Sequence, residues 1–277
     1  MNRIARLASR AGRRTMQAGE RIAGSTLDLM RRGERTVITT PSTGLRLGNL
    51  LYVWLQAHRR TRAGAPTLAR EARAMAPWLT AFPELSALTI APGGVRFSDR
   101  RTWDDAWLYQ RFGVDFTADD LAAFVRETLA SHVVPDRTET LVINVRRGDY
   151  YAEFASKYAF DQAGYLAATL DRLAPAERAL VVSDDADWCR TNLDSVIRMR
   201  ADEVEYARPD PLANFLAVAG AARIIGTNST FTYWAAYVAG VIHANAEVVM
   251  PRFHARMAHG TDAHQLDPRW TIIDGFH

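Results

Sequence analysis

The sequence predicts an α/β protein with a parallel sheet in its C-terminal half. Three observations point there: short apolar runs recur behind residue 140, each ends in a polar cluster, and helical spacing follows. Strands alternating with helices call for parallel pairing through right-handed crossovers. The runs are Leu141 to Val145, ending in Arg146-Arg147-Gly148-Asp149; Ala179-Leu180-Val181-Val182, ending in Ser183-Asp184-Asp185; Arg223-Ile224-Ile225-Gly226, ending in Thr227-Asn228-Ser229-Thr230; and Glu247-Val248-Val249-Met250, ending at Pro251. The polar clusters then line one edge of the sheet, where open α/β sheets bind ligands.

Ahead of that half, Thr36-Val37-Ile38-Thr39-Thr40 reads as a short strand stopped by Pro41. The turn-rich Ser42-Thr43-Gly44-Leu45-Arg46-Leu47-Gly48-Asn49 leads into 50–58, which has the spacing of a buried helix. Gly48 before Asn49 permits a tight backbone approach at that helix start, either to cradle a ligand or only to let strand and helix pack. A second helix is predicted over 117–133: Thr117 caps it, Asp119 and Asp120 suit its first turn, and Leu121, Phe124, Val125 and Leu129 share a face. The polar Pro135-Asp136-Arg137-Thr138-Glu139 marks a boundary between a domain at 36–134 and one at 138–277.

The chain has 277 residues, 48% hydrophobic, and a net charge of +3. That is the composition of an ordinary globular protein and excludes dominant disorder. Cys189 is the only cysteine, so no internal disulfide forms and a reducing compartment is expected. No apolar run spans a bilayer, and the opening lacks a signal h-region. Residues 1–35 hold nine arginines against Glu20, Asp28 and Glu34, leaving the remainder slightly acidic. With Ile4, Leu7, Ala8 and Ala11 on one side, this stretch reads as a basic helical leader. It is either solvated or resting on an anionic membrane surface. The expected location is cytoplasmic, with peripheral contact at the inner membrane face as the alternative to a solvated leader. Nucleic-acid binding is not expected, because basic residues are not interleaved with aromatics.

Paired arginines at a strand end match phosphate oxygens bidentately and suggest a nucleotide diphosphate; a salt bridge with Asp149 explains them equally. Asn228-Ser229-Thr230 opens a helix at 231–240 and forms an anion seat or an ordinary cap. Ser183-Asp184-Asp185 suits ribose hydroxyls or a purine N–H, or again a helix cap. Asp185 and Asp187 are a carboxylate pair of the kind that holds a divalent cation against a diphosphate, but Asp187 also fits a helix first turn and the arginines already supply positive charge. A metal-free site is favoured. His254, His259 and His264 are scattered by their five-residue spacing. Lys157 is the only lysine, and there is no phosphate-loop signature.

Leu45-Arg46-Leu47-Gly48-Asn49, Val145-Arg146-Arg147-Gly148-Asp149-Tyr150, Ser183-Asp184-Asp185-Ala186-Asp187-Trp188-Cys189 and Asn228-Ser229-Thr230-Phe231-Thr232-Tyr233-Trp234 resemble, in order and spacing, the blocks of the α-1,2-fucosyltransferases. The resemblance spans 36–251. It implies a GT-B-type fold, two Rossmann-like domains facing a cleft, with 36–134 as the acceptor-side domain and 138–277 as the nucleotide-sugar-binding domain, and a metal-independent, inverting transfer of fucose from GDP-fucose to galactose, with no cofactor beyond the donor. It assigns Arg146 to the β-phosphate with Arg147 beside it, Asp184 or Asp185 to the guanosine, and Ser229 and Thr230 to the diphosphate, with Ser183, Asn228, Phe231 and Asn144 among the donor-binding residues. Gly48 and Asn49 form the loop that meets the donor across the cleft.

The chain departs from the family pattern at Asn144, where histidine is usual, and at Leu50, where glutamine is usual. Asn144 still hydrogen-bonds but carries no proton. Arg146 would stabilise the departing GDP, and Asp149 and Glu153 are the candidate general bases; either carboxylate equally suits orienting an arginine. Trp103-Asp104-Asp105-Ala106-Trp107 is a candidate acceptor platform or core. The alternatives are a metal-dependent transferase built on Asp185 and Asp187, and a GDP-sugar-binding protein without activity.

Overall fold

A computed structural model describes residues 31–40, 45–102, 110–136 and 138–277. Most of the basic leader, the turn residues Pro41, Ser42, Thr43 and Gly44, the Trp103-Asp104-Asp105-Ala106-Trp107 cluster and Arg137 lie outside the described residues.

The chain is α/β, with two all-parallel sheets. In the N-terminal half, β1 (Thr36–Ile38) pairs with β2 (Thr67–Arg70) and β4 (Arg100–Thr102), and β3 (Thr89–Ile90) adds to β2. The six-stranded C-terminal sheet has the order β12-β9-β8-β5-β6-β7. Its members are β5 (Leu141–Val145), β6 (Ala176–Ser183), β7 (Ala201–Tyr206), β8 (Arg223–Gly226), β9 (Glu247–Pro251) and β12 (Thr271–Ile273). A short antiparallel hairpin, β10 (Phe253–Met257) with β11 (Gly260–Asp262), follows β9.

Every residue of β5 is buried, which explains its unbroken apolar run. The chain runs β5 to β6 to β7 in one direction, then returns to place β8 on the other side of β5. The strand order therefore reverses between β5 and β8. At such a point the connections leave in opposite directions and open a crevice beyond the strand ends.

Helix α1 (Leu47–Arg62) starts earlier and ends later than the predicted 50–58, because it is a central helix: residues Leu50, Leu51, Tyr52, Val53, Trp54 and Leu55 are fully buried. It follows the strand β1 as expected. Short α2 (Ala76–Ala81) carries Trp78. Helix α3 (Ala118–Thr128) begins as predicted, with Thr117 and Asp120 forming a reciprocal capping box. It stops at Thr128 rather than reaching 133, where a 3-10 turn over Ala130–His132 takes over.

Helices α4 (Gly148–Ala152), α5 (Ala155–Tyr158) and α6 (Gln162–Leu170) connect β5 to β6. Helices α7 (Ala186–Asn192) and α8 (Asp194–Arg198) lead to β7, α9 (Pro211–Gly220) to β8, and α10 (Thr230–Ile242) to β9. Residues 232–239 of α10 are all buried, because α10 also receives α1 and α3. Trp234 makes edge contacts with Tyr52 at 5.0 Å and Phe124 at 5.6 Å. One apolar core thus runs from Ile38 to Trp270, across the segment read as a domain boundary. Among the described residues no helix is long and apolar enough to cross a membrane.

Candidate functional site

A cavity of about 850 Å3 opens at the carboxyl ends of β5, β6 and β8, at the reversal of strand order. Asn144 and Arg146 enter it from β5, Ser183 and Asp184 from β6, Ser229, Thr230 and Phe231 from the loop and helix after β8. Gly48 and Asn49 face them from the first turn of α1.

The loop after β5 is fixed through its backbone. The Arg146 amide donates to Thr227 Oγ1 at 2.9 Å, and its carbonyl accepts from Gln162 Nε2 at 2.9 Å. The guanidinium is thereby aimed into the cavity, where it pairs with Asp149 and, at 2.6 Å, with Asp184. Arg46, from the N-terminal half, reaches the second oxygen of Asp149 at 3.4 Å. Asp149 therefore stands between two arginines from opposite halves of the chain. The Arg146 and Asp149 side chains are 18% and 23% exposed, so water reaches this pair.

Arg147 does something else. Its guanidinium carbon lies 3.8 Å from the Tyr151 ring centroid and 3.5 Å from that of Trp188, with Nη1 donating to Gln162 at 3.2 Å. This cation–π sandwich points it away from the cavity and ties α4 to α7. Only its backbone serves the site, donating to Asp184 Oδ1 at 2.7 Å.

Of the acidic cluster after β6, only Asp184 reaches the wall. Gly148 makes room for it, since a Cβ there would fall 2.4 Å from Asp184 Oδ2. Asp185 caps α7 by accepting from the Trp188 amide at 3.2 Å, and Asp187 is 97% exposed and pairs with Arg190 at 2.8 Å. The Asp185 and Asp187 carboxylates thus have separate structural engagements. Among the described residues no group of three or more His, Cys, Asp or Glu converges as a metal site.

Ser229 caps α10, accepting from the Phe231 amide at 3.3 Å, so the positive end of a 13-residue helix faces the cavity. Asn228 is turned inward, and its Nδ2 donates to the carbonyls of Tyr158 at 2.9 Å and His254 at 2.7 Å. Asn144 is likewise engaged at both ends of its amide, donating to the Val182 carbonyl at 3.0 Å and accepting from the Thr232 hydroxyl. Glu153 is exposed where α4 ends, outside the wall.

Two groups of wall residues escaped the sequence reading. One group draws Ala74 from the segment leading into α2, Trp78 from α2 itself, and Pro209, Asp210 and Asn214 from the loop after β7 and the start of α9. The other draws Tyr150, Phe154, Lys157 and Tyr158 from α4, α5 and the turn between them, with α5 packed on β10. A signal existed for one of them: Asp210 before Pro211 is a cap followed by a proline at N1, and Asp210 Oδ1 accepts from the Leu212 and Ala213 amides at 2.9 and 3.0 Å. Nothing local announces Trp78, which arrives from the other half of the chain.

A model described as Glycosyl transferase family 11 matches residues 108–273, more than half of the chain. The chain belongs to glycosyl transferase family 11. The resemblance carried by the four blocks holds at that level, and three of the blocks fall within the matched residues. Galactoside alpha-(1,2)-fucosyltransferase 1 of Aotus nancymaae is 32% identical over 114 residues, covering 38% of this family 11 chain and 30% of that protein. Galactoside 2-alpha-L-fucosyltransferase SEC1 of Bos taurus is 32% identical over 139 residues, covering 47% of this chain and 37% of that protein. The chain therefore covers well under half the length of these relatives. No solved structure matches it.

Proposed function

We propose that this family 11 chain is an inverting, metal-independent fucosyltransferase, moving fucose from GDP-fucose to a galactose-type hydroxyl of a glycan, on a GT-B-type arrangement of its two halves. The observation that carries this is the convergence of Arg146, the α10 N-terminus and the Gly48-Asn49 turn on one cavity at the switch point of the sheet. The diphosphate would lie between Arg146 and Ser229-Thr230, taking the place of Asp149 on the guanidinium. The guanine would lie toward β6 and β7, with Trp78 and Pro209 offering apolar surface and Asp184, Asp210 and Asn214 offering acceptors for ring N–H groups.

In the reaction the acceptor oxygen forms a bond to the anomeric carbon. The bond from that carbon to the phosphate oxygen breaks, and its electron pair leaves with GDP. Arg146 and the amides of α10 stabilise the growing negative charge more than they stabilise the bound donor, which lowers the barrier. The acceptor's proton goes to Asp149, the one base candidate in the cavity wall, freed once phosphate replaces it on the arginines. Asn144 holds strands and helix together through its amide and takes no proton.

The test is calorimetric titration with GDP, GDP-fucose, GDP-mannose and UDP in EDTA, followed by anomeric NMR of products from GDP-fucose and a β-galactoside. Guanine-selective binding with an inverted product supports the reading. Binding only after metal is restored, or preference for UDP, rejects it. Tight GDP-fucose binding with no product makes the chain a GDP-sugar-binding protein.

A further inference from the structure

Phe154, Lys157 and Tyr158 are outside the groups assigned to the donor above, yet they line the same cavity as Arg146, Ser229 and Thr230. Among the described residues the exposed large apolar side chains are Phe97, Val114, Val134, Phe154 and Met199, and of these only Phe154, at 46% exposure, lies in the cavity wall. Phe154 thus presents part of its ring face to the same cavity. Its ring stands perpendicular to that of Tyr158 at 6.5 Å, and Tyr158 in turn stacks on Tyr150 at 4.0 Å and 13°. The result is an aromatic corner, one ring forming a floor and the next a wall.

The corner is held rigidly. Asn228 donates to the Tyr158 carbonyl at 2.9 Å and to the His254 carbonyl of β10 at 2.7 Å, so α5 is fastened to β10 through the loop after β8. Tyr151 adds a brace, donating to the Phe160 carbonyl at 2.7 Å and accepting from the Phe160 amide at 3.2 Å. Arg256 Nη1 donates to the Ala159 carbonyl at 2.8 Å. A surface ordered before binding loses little entropy on binding.

Position decides which ligand. Along the carboxyl rim the strand order is β9, β8, β5, β6, β7, and α5 packs on β10, which continues from β9. The aromatic corner therefore lies at one wing, the Arg146 and Thr230 pair at the centre, and Pro209, Asp210 and Asn214 at the other wing. In an inverting displacement the nucleophile approaches opposite to the leaving group. With the nucleoside extended toward β7, the acceptor must come from the β9 wing.

We propose that Phe154 and Tyr158 form the acceptor subsite, binding the apolar C–H face of a hexopyranose. This rests on the donor reading given above. The Phe154 ring face supplies apolar area without conformational cost, while Tyr158, whose faces are taken by Tyr150 and by Lys157 Nζ at 4.9 Å, backs that ring and offers its hydroxyl, with Lys157, as polar contacts for sugar hydroxyls.

The experiment is saturation-transfer NMR of the full chain with lactose and the methyl glycosides of galactose, glucose and mannose, with GDP affinity measured separately by calorimetry. At least one sugar is expected to receive saturation in the wild type. Phe154→Ala should weaken that sugar tenfold or more with GDP affinity unchanged, and Phe154→Trp should restore it. Equal sugar binding by Phe154→Ala, or no contact by any sugar of the panel, overturns the subsite. Failure of GDP to bind rejects the donor reading instead, and the sugar signal reports on the corner independently of it.

Discussion

Gly48 lies against Thr230 so closely that a Cβ on the glycine would fall 2.5 Å from both the carbonyl carbon and the hydroxyl oxygen of Thr230. The first turn of α1 and the first turn of α10 meet there, one from each half of the chain, and the Thr230 main chain forms part of the contact beside its Cβ and hydroxyl. Because backbone cannot rotate away as a side chain can, Gly48→Ala should separate the helix ends, costing about 1–3 kcal/mol. Urea unfolding should show the lower midpoint, and GDP calorimetry a weaker affinity. Unchanged values in both would mean that the two helix ends do not meet so closely.

The adjacent arginines should separate cleanly on mutation. Arg147→Ala removes a guanidinium sandwiched by Tyr151 and Trp188 and should cost about 1–2 kcal/mol of stability. GDP affinity should barely change. Arg146→Ala should abolish GDP binding, since its guanidinium is the one from this pair aimed into the cavity. Thermal melting and calorimetry on both variants decide the matter, and loss of GDP binding in Arg147→Ala would refute the division of labour.

Asp149 competes with any anion for Arg146 and Arg46. Asp149→Asn removes the competing charge, so GDP should bind several-fold more tightly, about 1 kcal/mol for partly solvated pairs. The gain should shrink as salt rises from 50 to 500 mM, both taken as about the usual range. Turnover should fall together with the tighter binding if Asp149 takes the acceptor proton. A weaker affinity for GDP would show instead that Asp149 orients Arg146 for phosphate.

His254 is fully enclosed, and desolvation, with smaller contributions from Lys157 and His264, lowers its pKa to about 4. Its Nδ1 lies 3.1 Å from the Tyr233 hydroxyl, and the Tyr158 ring stands over it at 6.1 Å. Between pH 4 and the usual histidine value of about 6.5 the unfolded chain binds a proton that the fold refuses. Stability from this group is therefore complete above about pH 6.5 and falls as pH drops toward 4, by on the order of 3 kcal/mol. Melting curves across that range should show the loss in wild type and a smaller one in His254→Asn, whose amide carries no titrating proton. Equal losses in the two proteins would place the acid sensitivity elsewhere.

Much of the C-terminal half, and α3 ahead of it, was legible because the signals are local. Leu141–Val145 is apolar because both faces are covered, and the cap of α3 at Thr117 is written in a four-residue pattern. Strands β2, β3 and β4 were not legible. Thr67–Arg70 and Arg100–Thr102 carry exposed arginines, and β3 has only two residues, so neither alternation nor an apolar run marks them. Helix α3 ended short of its predicted limit because the continuing apolar residues Leu129 and Val133 are buried from a 3-10 turn as readily as from a helix.

The amino-acid order alone determined which chemical groups stand at strand ends, because strand period, caps and glycine turns depend on near neighbours. It therefore brought Arg146, Asp184, Ser229 and Gly48 to notice, together with the family they resemble. Only the tertiary structure decided where the side chains point. Arg146 and Arg147 are neighbours of one type, yet the first meets two carboxylates in the cavity and the second two aromatic rings behind it. Asp184 enters the cavity and Asp185 caps a helix, while Trp78 and the Phe154 corner reach the wall from segments that carry no motif. The reason is physical: a side chain's direction is set by the space and partners that distant segments supply, and those partners are far away in sequence.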